Sequence, residues 1–74
     1  MEILDTFERD GKSFEIRYWQ HPQNYKWEAQ AFQNNLPVGL SVGCSNEIKR
    51  NLNQEEWLKM MKDAVLNAQG YSFA

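Results

Sequence analysis

Several features that mark well-known functional sites are scarce in this chain of 74 residues. It has one cysteine, Cys44, so it forms no internal disulfide, and a single thiol fits a reducing compartment. It has one histidine, His21, which excludes a metal site built from several histidines. No acidic spacing matches a calcium loop, and no glycine-rich loop is placed to hold phosphate. We therefore expect no metal, no cofactor and no enzyme active site.

Long apolar runs and an excess of basic charge are also missing. No run approaches the roughly 18 apolar residues that cross a membrane. The start, MEILDTFERD, lacks the basic and then apolar layout of a signal peptide. The net charge of −2, with scattered Lys and Arg, disfavours binding to duplex nucleic acid. We expect a cytoplasmic protein without a membrane partner.

What is present is a globular composition, with 42% hydrophobic residues, three Trp, three Tyr and four Phe. A chain of this length forms one domain, residues 1–74, whose core is barely large enough for stability. Dimerisation would bury further apolar surface. A homodimer is therefore an expectation from size alone.

Alternating apolar and polar residues predict strands at about 2–9, 13–20, 25–33 and 36–43. Asp10-Gly11 is a strong signal for a two-residue hairpin turn, and further reversals are predicted at residues 21–24 and at Asn34-Asn35. Counting outward from these turns brings one apolar set to a single face, which predicts an antiparallel meander. That set is Ile3, Phe7, Phe14, Ile16, Tyr18, Trp27, Leu36, Val38, Leu40 and Val42, with Tyr25 on the same side.

The same turns predict particular neighbours across the sheet. Tyr18 is expected to pair with Ile3 on one side and with Trp27 on the other. On the opposite face, Arg17 is expected beside Glu28, and Trp19 beside Lys26. In the next strand, Ala29 is expected beside Leu40 and Trp27 beside Val42.

The stretch LNQEEWLKMM predicts the start of a helix over residues 54–69. Asn53 can cap the free N–H groups, and Glu56 is placed to complete a capping box. An apolar stripe that begins at Trp57 would cover the sheet, which gives an α+β fold in the order β-β-β-β-α. The connection at 44–52 carries no pattern that predicts its conformation.

Two surfaces remain as candidates for binding. The sheet face away from the helix carries the first set, which is Trp19, Phe32, Arg17, Lys26 and Leu4. Exposed aromatic side chains on a sheet can stack on unpaired bases or anchor a protein. Leu66, on the helix side away from Trp57, is expected to form a second apolar patch with Tyr71 and Phe73. This patch suits either a dimer contact or a C-terminal tail that folds back to close the core.

FEIRYW in the second predicted strand and LNQEEW at the helix start are similar to the transcriptional positive-cofactor and Whirly-like group of single-stranded-DNA-binding proteins. That resemblance implies dimers packed through their helices, with single strands bound on sheet surfaces by basic and aromatic groups. The chain departs from the group where eight residues separate the fourth strand from the helix cap. The predicted outer face also has at least as many acidic as basic side chains.

The leading hypothesis is a small non-enzymatic module that binds a protein partner or itself. The alternative is single-stranded nucleic-acid binding on the outer sheet face, by stacking on Trp19 and Phe32 beside Arg17 and Lys26. An enzyme that uses Cys44 or His21 is a third hypothesis.

Overall fold

The computed structural model describes residues 1–69 as four antiparallel strands followed by two helices. The strands are β1 (Glu2–Arg9), β2 (Lys12–Gln20), β3 (Trp27–Gln33) and β4 (Leu36–Cys44). The helices are α1 (Asn46–Arg50) and α2 (Gln54–Gln69). The strands form one sheet in chain order, and α2 packs on one face of it. The predicted α+β meander with a C-terminal helix is confirmed.

Two of the hairpins turn where the sequence predicts. Asp10 and Gly11 have φ angles of 54° and 75°, and Asn34 and Asn35 have φ angles of 52° and 66°. A two-residue turn with both central residues in the left-handed region matches the twist of the strands it joins. Asp, Asn and Gly tolerate that region, so local chemistry alone determines these two reversals.

The connection from β2 to β3 differs from the predicted four-residue turn, because it spans residues 21–26. His21 N donates to the carbonyl oxygen of Lys26 at 2.7 Å, and Tyr25 N donates to that of His21 at 3.0 Å. Tyr25 has a φ angle of 59° and is 62% exposed, so its predicted core-side position is wrong. The larger loop moves the register of the two strands by two residues.

That shift changes the neighbours and leaves the faces intact, because side chains alternate with a period of two. Tyr18 pairs with Ala29 instead of Trp27, and Arg17 pairs with Gln30 instead of Glu28. Trp19 lies opposite Glu28, while Lys26 lies in the loop before β3. The predicted pairs of Arg17 with Glu28 and of Trp19 with Lys26 are therefore wrong.

A bulge in β1 reverses the roles of its first two apolar residues. Ile3 pairs with Arg17, whereas Asp5 pairs with Ile16, which leaves Leu4 as an extra residue between them. Leu4 packs against the core, and Ile3 is 59% exposed. The predictions of Ile3 in the core and of Leu4 on the outer face are both wrong, and Glu2, not Ile3, pairs with Tyr18.

A second irregularity lies in β4, at the edge of the sheet. Ala31 pairs with Val38 and Ala29 with Val42, so the intervening stretch 39–41 lies opposite Gln30 alone. Gly39 in that stretch has a φ angle of 71°, a conformation that glycine adopts readily.

This bulge changes which residues of β4 reach the core, so part of the predicted core is wrong. Ala29 does not pair with Leu40, and Trp27 pairs with Cys44 instead of Val42. Leu40 is 59% exposed, and Leu36, the first residue of β4, is 67% exposed. Both leucines were predicted on the core face, and neither belongs to the buried core.

The core lies between the sheet and α2. Ala29 and Ala31, fully buried at mid-sheet, share one cluster with Trp57, which is also fully buried. The other members of that cluster are Ile16, Cys44, Met61 and Val65. Leu66 is half-buried against this core, so its predicted position away from the sheet is wrong. Tyr71 and Phe73, the rest of that predicted patch, lie outside the described residues.

The helix caps explain how the chain leaves the sheet. Ser45 caps the short helix α1, which the sequence had not predicted, by accepting a hydrogen bond from Ile48 N at 3.2 Å. The predicted capping box of α2 is present, since Glu56 N donates to Asn53 Oδ1 at 2.8 Å and Asn53 N donates to Glu56 Oε1 at 3.2 Å. Neither α1 nor the described length of α2 is long and apolar enough to cross a membrane.

Candidate functional site

The outer face of the sheet carries the predicted pair Trp19 and Phe32, which lie on the side away from α2. Their ring centroids are 6.3 Å apart at 76°, an edge-to-face contact. Phe32 is only 7% exposed, and the guanidinium of Arg17 lies 4.6 Å from its ring centroid. The expectation of two rings open to solvent is therefore wrong for Phe32, because Arg17 and Trp19 cover it.

Arg17 is held by other partners on the same face. Its Nε lies 3.1 Å from Glu15 Oε2, and its Nη2 donates to Asn35 Oδ1 at 2.6 Å. Glu28 lies opposite Trp19, and Lys26 lies in the preceding loop. The residues predicted to bind a nucleic-acid strand are thus not gathered into a basic surface with exposed rings.

A hollow of about 510 Å³ lies at the tight-turn end of the molecule. Its lining residues are Thr6, Ser13, Phe14, Glu15, Phe32, Asn34 and Asn35. Glu15 is the charged side chain among them, and it is already paired with Arg17. This hollow offers hydrogen-bonding groups without a further charge to attract a ligand.

A different cavity, which we call the end pocket, lies at the opposite end of the sheet and measures about 350 Å³. Its lining residues are Met1, Glu2, Tyr18, Trp19, Gln20, Trp27, Lys49 and Gln54. The start of β1, the end of β2, the start of β3 and the first residue of α2 meet here, and α1 adds Lys49. These five elements come from three stretches that are distant in sequence, and together they supply one concave surface.

The aromatic wall of the end pocket is built from three rings. Trp57 packs edge-to-face on Trp27 at 5.4 Å and on Tyr18 at 5.3 Å, measured between ring centroids. Trp57 itself is fully buried, so it supports the two lining rings from behind. Such ring pairs contribute about 0.5–1.5 kcal/mol each beyond the area they bury, which makes the wall rigid.

Asn46 connects α1 to this wall. Its Oδ1 accepts a hydrogen bond from Trp27 Nε1 at 2.8 Å, and its Nδ2 donates to the carbonyl oxygen of Tyr25 at 2.7 Å. These bonds fix the indole of Trp27 and anchor the short helix whose later residue is Lys49. The position of Lys49 therefore follows from the contacts of Asn46.

Lys49 lies over the aromatic wall. Its Nζ is 4.8 Å from the ring centroid of Trp27 and 4.9 Å from that of Trp57, two cation–π contacts. Within residues 1–69, the ion pairs join Arg17 to Glu15 and Lys62 to Asp5, so Lys49 has no carboxylate partner there. Its ammonium group is thus held in place with hydrogen-bond donors still available.

The acidic side of the pocket is already hydrogen-bonded. Tyr18 donates its hydroxyl proton to Glu2 Oε2 at 3.0 Å. Burial raises the pKa of Tyr18, and the hydrogen bond to the Glu2 carboxylate raises it further. Tyr18 therefore stays protonated at neutral pH and remains a donor to Glu2.

Cys44 and His21 have different hydrogen-bond partners and do not bond to each other. The Cys44 thiol is buried, accepts from Trp57 Nε1 at 3.4 Å and donates to the carbonyl oxygen of Ser45 at 3.4 Å. His21 Nδ1 accepts from Gln23 N at 3.2 Å inside the loop. Over residues 1–69, no three His, Cys, Asp or Glu side chains are grouped to hold a metal ion.

Of the eight residues that line the end pocket, sequence reasoning placed only Trp19 in a candidate site. It assigned Tyr18 and Trp27 to the core and gave no binding role to the other lining residues, which are Met1, Glu2, Gln20, Lys49 and Gln54. Ser45 is a typical N-cap residue and could have predicted α1, but not that this helix would place Lys49 over Trp27. No protein-family model matches this chain, and no curated protein or solved structure matches it either.

Proposed function

We propose that this chain is a small non-enzymatic binding module that engages a segment of another protein at the end pocket. The observation that carries the proposal is one concave site that holds two aromatic rings and an ammonium group. The rings are Tyr18 and Trp27, and the ammonium group is that of Lys49, which has no carboxylate partner within residues 1–69. Tyr and Trp dominate the energetic centres of protein interfaces, since they bury a large area with few rotatable bonds.

The volume of the end pocket sets the kind of partner. About 350 Å³ is near the lower bound for ligand pockets and is enough for one or two side chains. A short peptide segment suits this size, with its remaining backbone lying over exposed neighbours such as Met1, 71% exposed, and Ile48, 50% exposed. The partner is therefore proposed as a flexible segment rather than a flat folded surface.

The competing hypothesis places single-stranded nucleic acid on the outer face. It would use Trp19 as a stacking ring, but Phe32 is covered, and Arg17 is already bonded to Glu15 and Asn35. Glu28, opposite Trp19, would repel a phosphate backbone. The geometry favours the end pocket over the outer face as the binding surface.

A displayed library of random short peptides, selected against the immobilised chain, tests the proposal. A selected peptide is then titrated into the isotope-labelled chain, and we expect the largest NMR shifts at the indole N–H of Trp27 and the backbone amides of Lys49 and Gln54. An oligo(dT) strand at low salt serves as the competing probe. Shifts centred on Gln30 and Phe32 with either ligand, or no peptide selected, would overturn the proposal.

A matched pair of variants makes the test specific. Gln54 is an exposed residue at the rim, so Gln54→Trp should fill the end pocket and weaken the selected peptide at least about tenfold, or about 1.4 kcal/mol. Asn67, exposed on the same helix and remote from the end pocket, provides the control Asn67→Trp, which should bind normally. Equal effects of the two substitutions would place binding elsewhere.

A further inference from the structure

The end pocket contains one charged group whose bonding is incomplete. Lys49 is half-buried and rests against two indoles, an arrangement that attracts the ammonium group but accepts no conventional hydrogen bond from it. The interaction of such a charge with a ligand is screened less than that of a fully exposed lysine. Lys49 therefore has both the position and the free donors to bind an anion.

Glu2 is the other charged side chain that lines the pocket, and unlike Lys49 it already has a hydrogen-bond partner. The Glu2 carboxylate already accepts a hydrogen bond from Tyr18, whose raised pKa keeps that donor in place. A cationic ligand would gain from Glu2 but would be repelled by Lys49. A doubly charged phosphate would gain from Lys49 and meet stronger repulsion from Glu2 than a carboxylate would.

We infer that the partner segment presents an Asp or Glu carboxylate to Lys49 and an adjacent apolar side chain to the rings of Trp27 and Tyr18. This inference rests on the proposed function and names the chemistry of the segment that the end pocket selects. The carboxylate supplies the acceptor that Lys49 lacks, in a charge-assisted hydrogen bond. The apolar side chain packs on a wall that Trp57 holds rigid.

The test is a double-mutant cycle between the chain and a peptide obtained by the selection described above. The peptide is synthesised with its acidic residue and with the matching amide, and both forms are titrated into the wild-type chain and into Lys49→Gln. The wild-type chain should bind the acidic form about tenfold more tightly than the amide form. Lys49→Gln should bind both forms alike, since the charge that distinguishes them is gone.

Lys59 provides the matched control, because it is an exposed lysine on α2 that does not line the end pocket. Lys59→Gln changes the net charge equally and should discriminate between the two peptides as the wild-type chain does. The preference for the acidic form should also shrink as salt is raised, because the pocket is open to solvent. A circular dichroism spectrum unchanged from wild type verifies that each variant is folded.

The two proposals fail in different ways. Peptides that bind at the end pocket without an acidic residue, or a Lys49→Gln variant that still prefers the acidic form, would overturn the inference and leave the proposed function standing. Stronger binding of a phosphoserine form than of the acidic form would also overturn it. A selection that yields no peptide at the end pocket would overturn both.

Discussion

At the scale of single residues, Asp5 shows how one side chain acquires its role only in the folded chain. It pairs with the buried Ile16, on the sheet face that α2 covers, and its side chain is 45% exposed at the edge of that face. Lys62 on α2 places its Nζ 2.5 Å from Asp5 Oδ2, and Thr6 N donates to the other oxygen at 2.8 Å. This bond ties the edge strand β1 to the helix.

The pKa of Asp5 predicts how this bond responds to acid. The hydrogen bond from Lys62 lowers that pKa below its ordinary value of 3.8, and the bond from Thr6 lowers it further. Because the pKa of Asp5 is lower in the folded chain than in the unfolded chain, its charged form stabilises the folded chain at every pH above its ordinary pKa. This contribution is lost as the pH falls through the lowered pKa. Asp5→Asn should therefore reduce the free energy of unfolding at neutral pH by about 0.2–1 kcal/mol, since both side chains are partly exposed.

Urea unfolding of the wild-type and Asp5→Asn chains at neutral pH and near pH 2 measures the effect. The difference between the two chains should shrink as the pH falls through the lowered pKa of Asp5, because protonation removes the charge that Lys62 and Thr6 bond. Asp63, an exposed carboxylate on α2 without an ion pair among the described residues, gives the control Asp63→Asn, which should change little. A loss for Asp5→Asn that is equally large in acid would assign its role to packing instead of charge.

At the scale of elements, the two irregular strands decide which apolar residues reach the core. The bulge in β1 turns Leu4 inward and Ile3 outward, the reverse of a regular strand. The bulge in β4 leaves Leu40 exposed. Regular alternation resumes at Val42, whose side chain packs against the core. Both bulges lie in the two outer strands of the sheet that residues 1–69 form, where a strand pairs with one neighbouring strand of that sheet and an extra residue disrupts fewer hydrogen bonds.

The β1 bulge predicts unequal effects of two neighbouring substitutions. Leu4→Ala should lower the free energy of unfolding by about 1–2 kcal/mol, because it removes partly buried apolar surface. Ile3→Ala should change it by less than about 0.5 kcal/mol, because that side chain is mostly in solvent. Urea unfolding of the two variants measures both values. A larger loss for Ile3→Ala would mean that β1 is regular in solution and that Leu4 faces outward.

At the scale of the whole molecule, the core of the described residues 1–69 lies between a single layer of sheet and the helix α2. Cys44 lies in this core at the end of β4, 5% exposed, with its sulfur bonded to the indole N–H of Trp57. The thiol touches strand, helix and aromatic wall together. Its accessibility therefore reports the opening of the entire core.

Alkylation of Cys44 in the folded chain should be slow and should follow the stability of the molecule. Met61→Ala, which empties space in the same cluster, should cost about 2–5 kcal/mol and raise the alkylation rate in proportion to the unfolded population. The rate is measured with a chromogenic thiol reagent at increasing urea. If the folded chain were alkylated as fast as an unfolded peptide, and Met61→Ala did not change that rate, the Cys44 thiol would be reached by local opening and not by opening of the core.

Much of the fold follows from local chemistry. Asp10-Gly11 and Asn34-Asn35 suit left-handed turns, and Asn53 with Glu56 begins α2, so neighbours in sequence determine these features by themselves. The loop between β2 and β3 is two residues longer than predicted. The strand faces are nevertheless as predicted, because a shift of two residues matches the two-residue period of side-chain alternation. A turn prediction that is wrong by two residues therefore still assigns each side chain of the strand to the correct face of the sheet.

The sequence by itself thus determined the order of the strands, the helix that covers them and most of the buried face, because turn preferences and alternation act over a few residues. Only the tertiary structure decided the two bulges, the partner of Asp5 and the end pocket. These depend on sheet edges and on residues far apart in the chain, such as Glu2, Trp27 and Lys49, whose proximity no local pattern records. The surface proposed to bind a partner exists because three distant segments end at the same place.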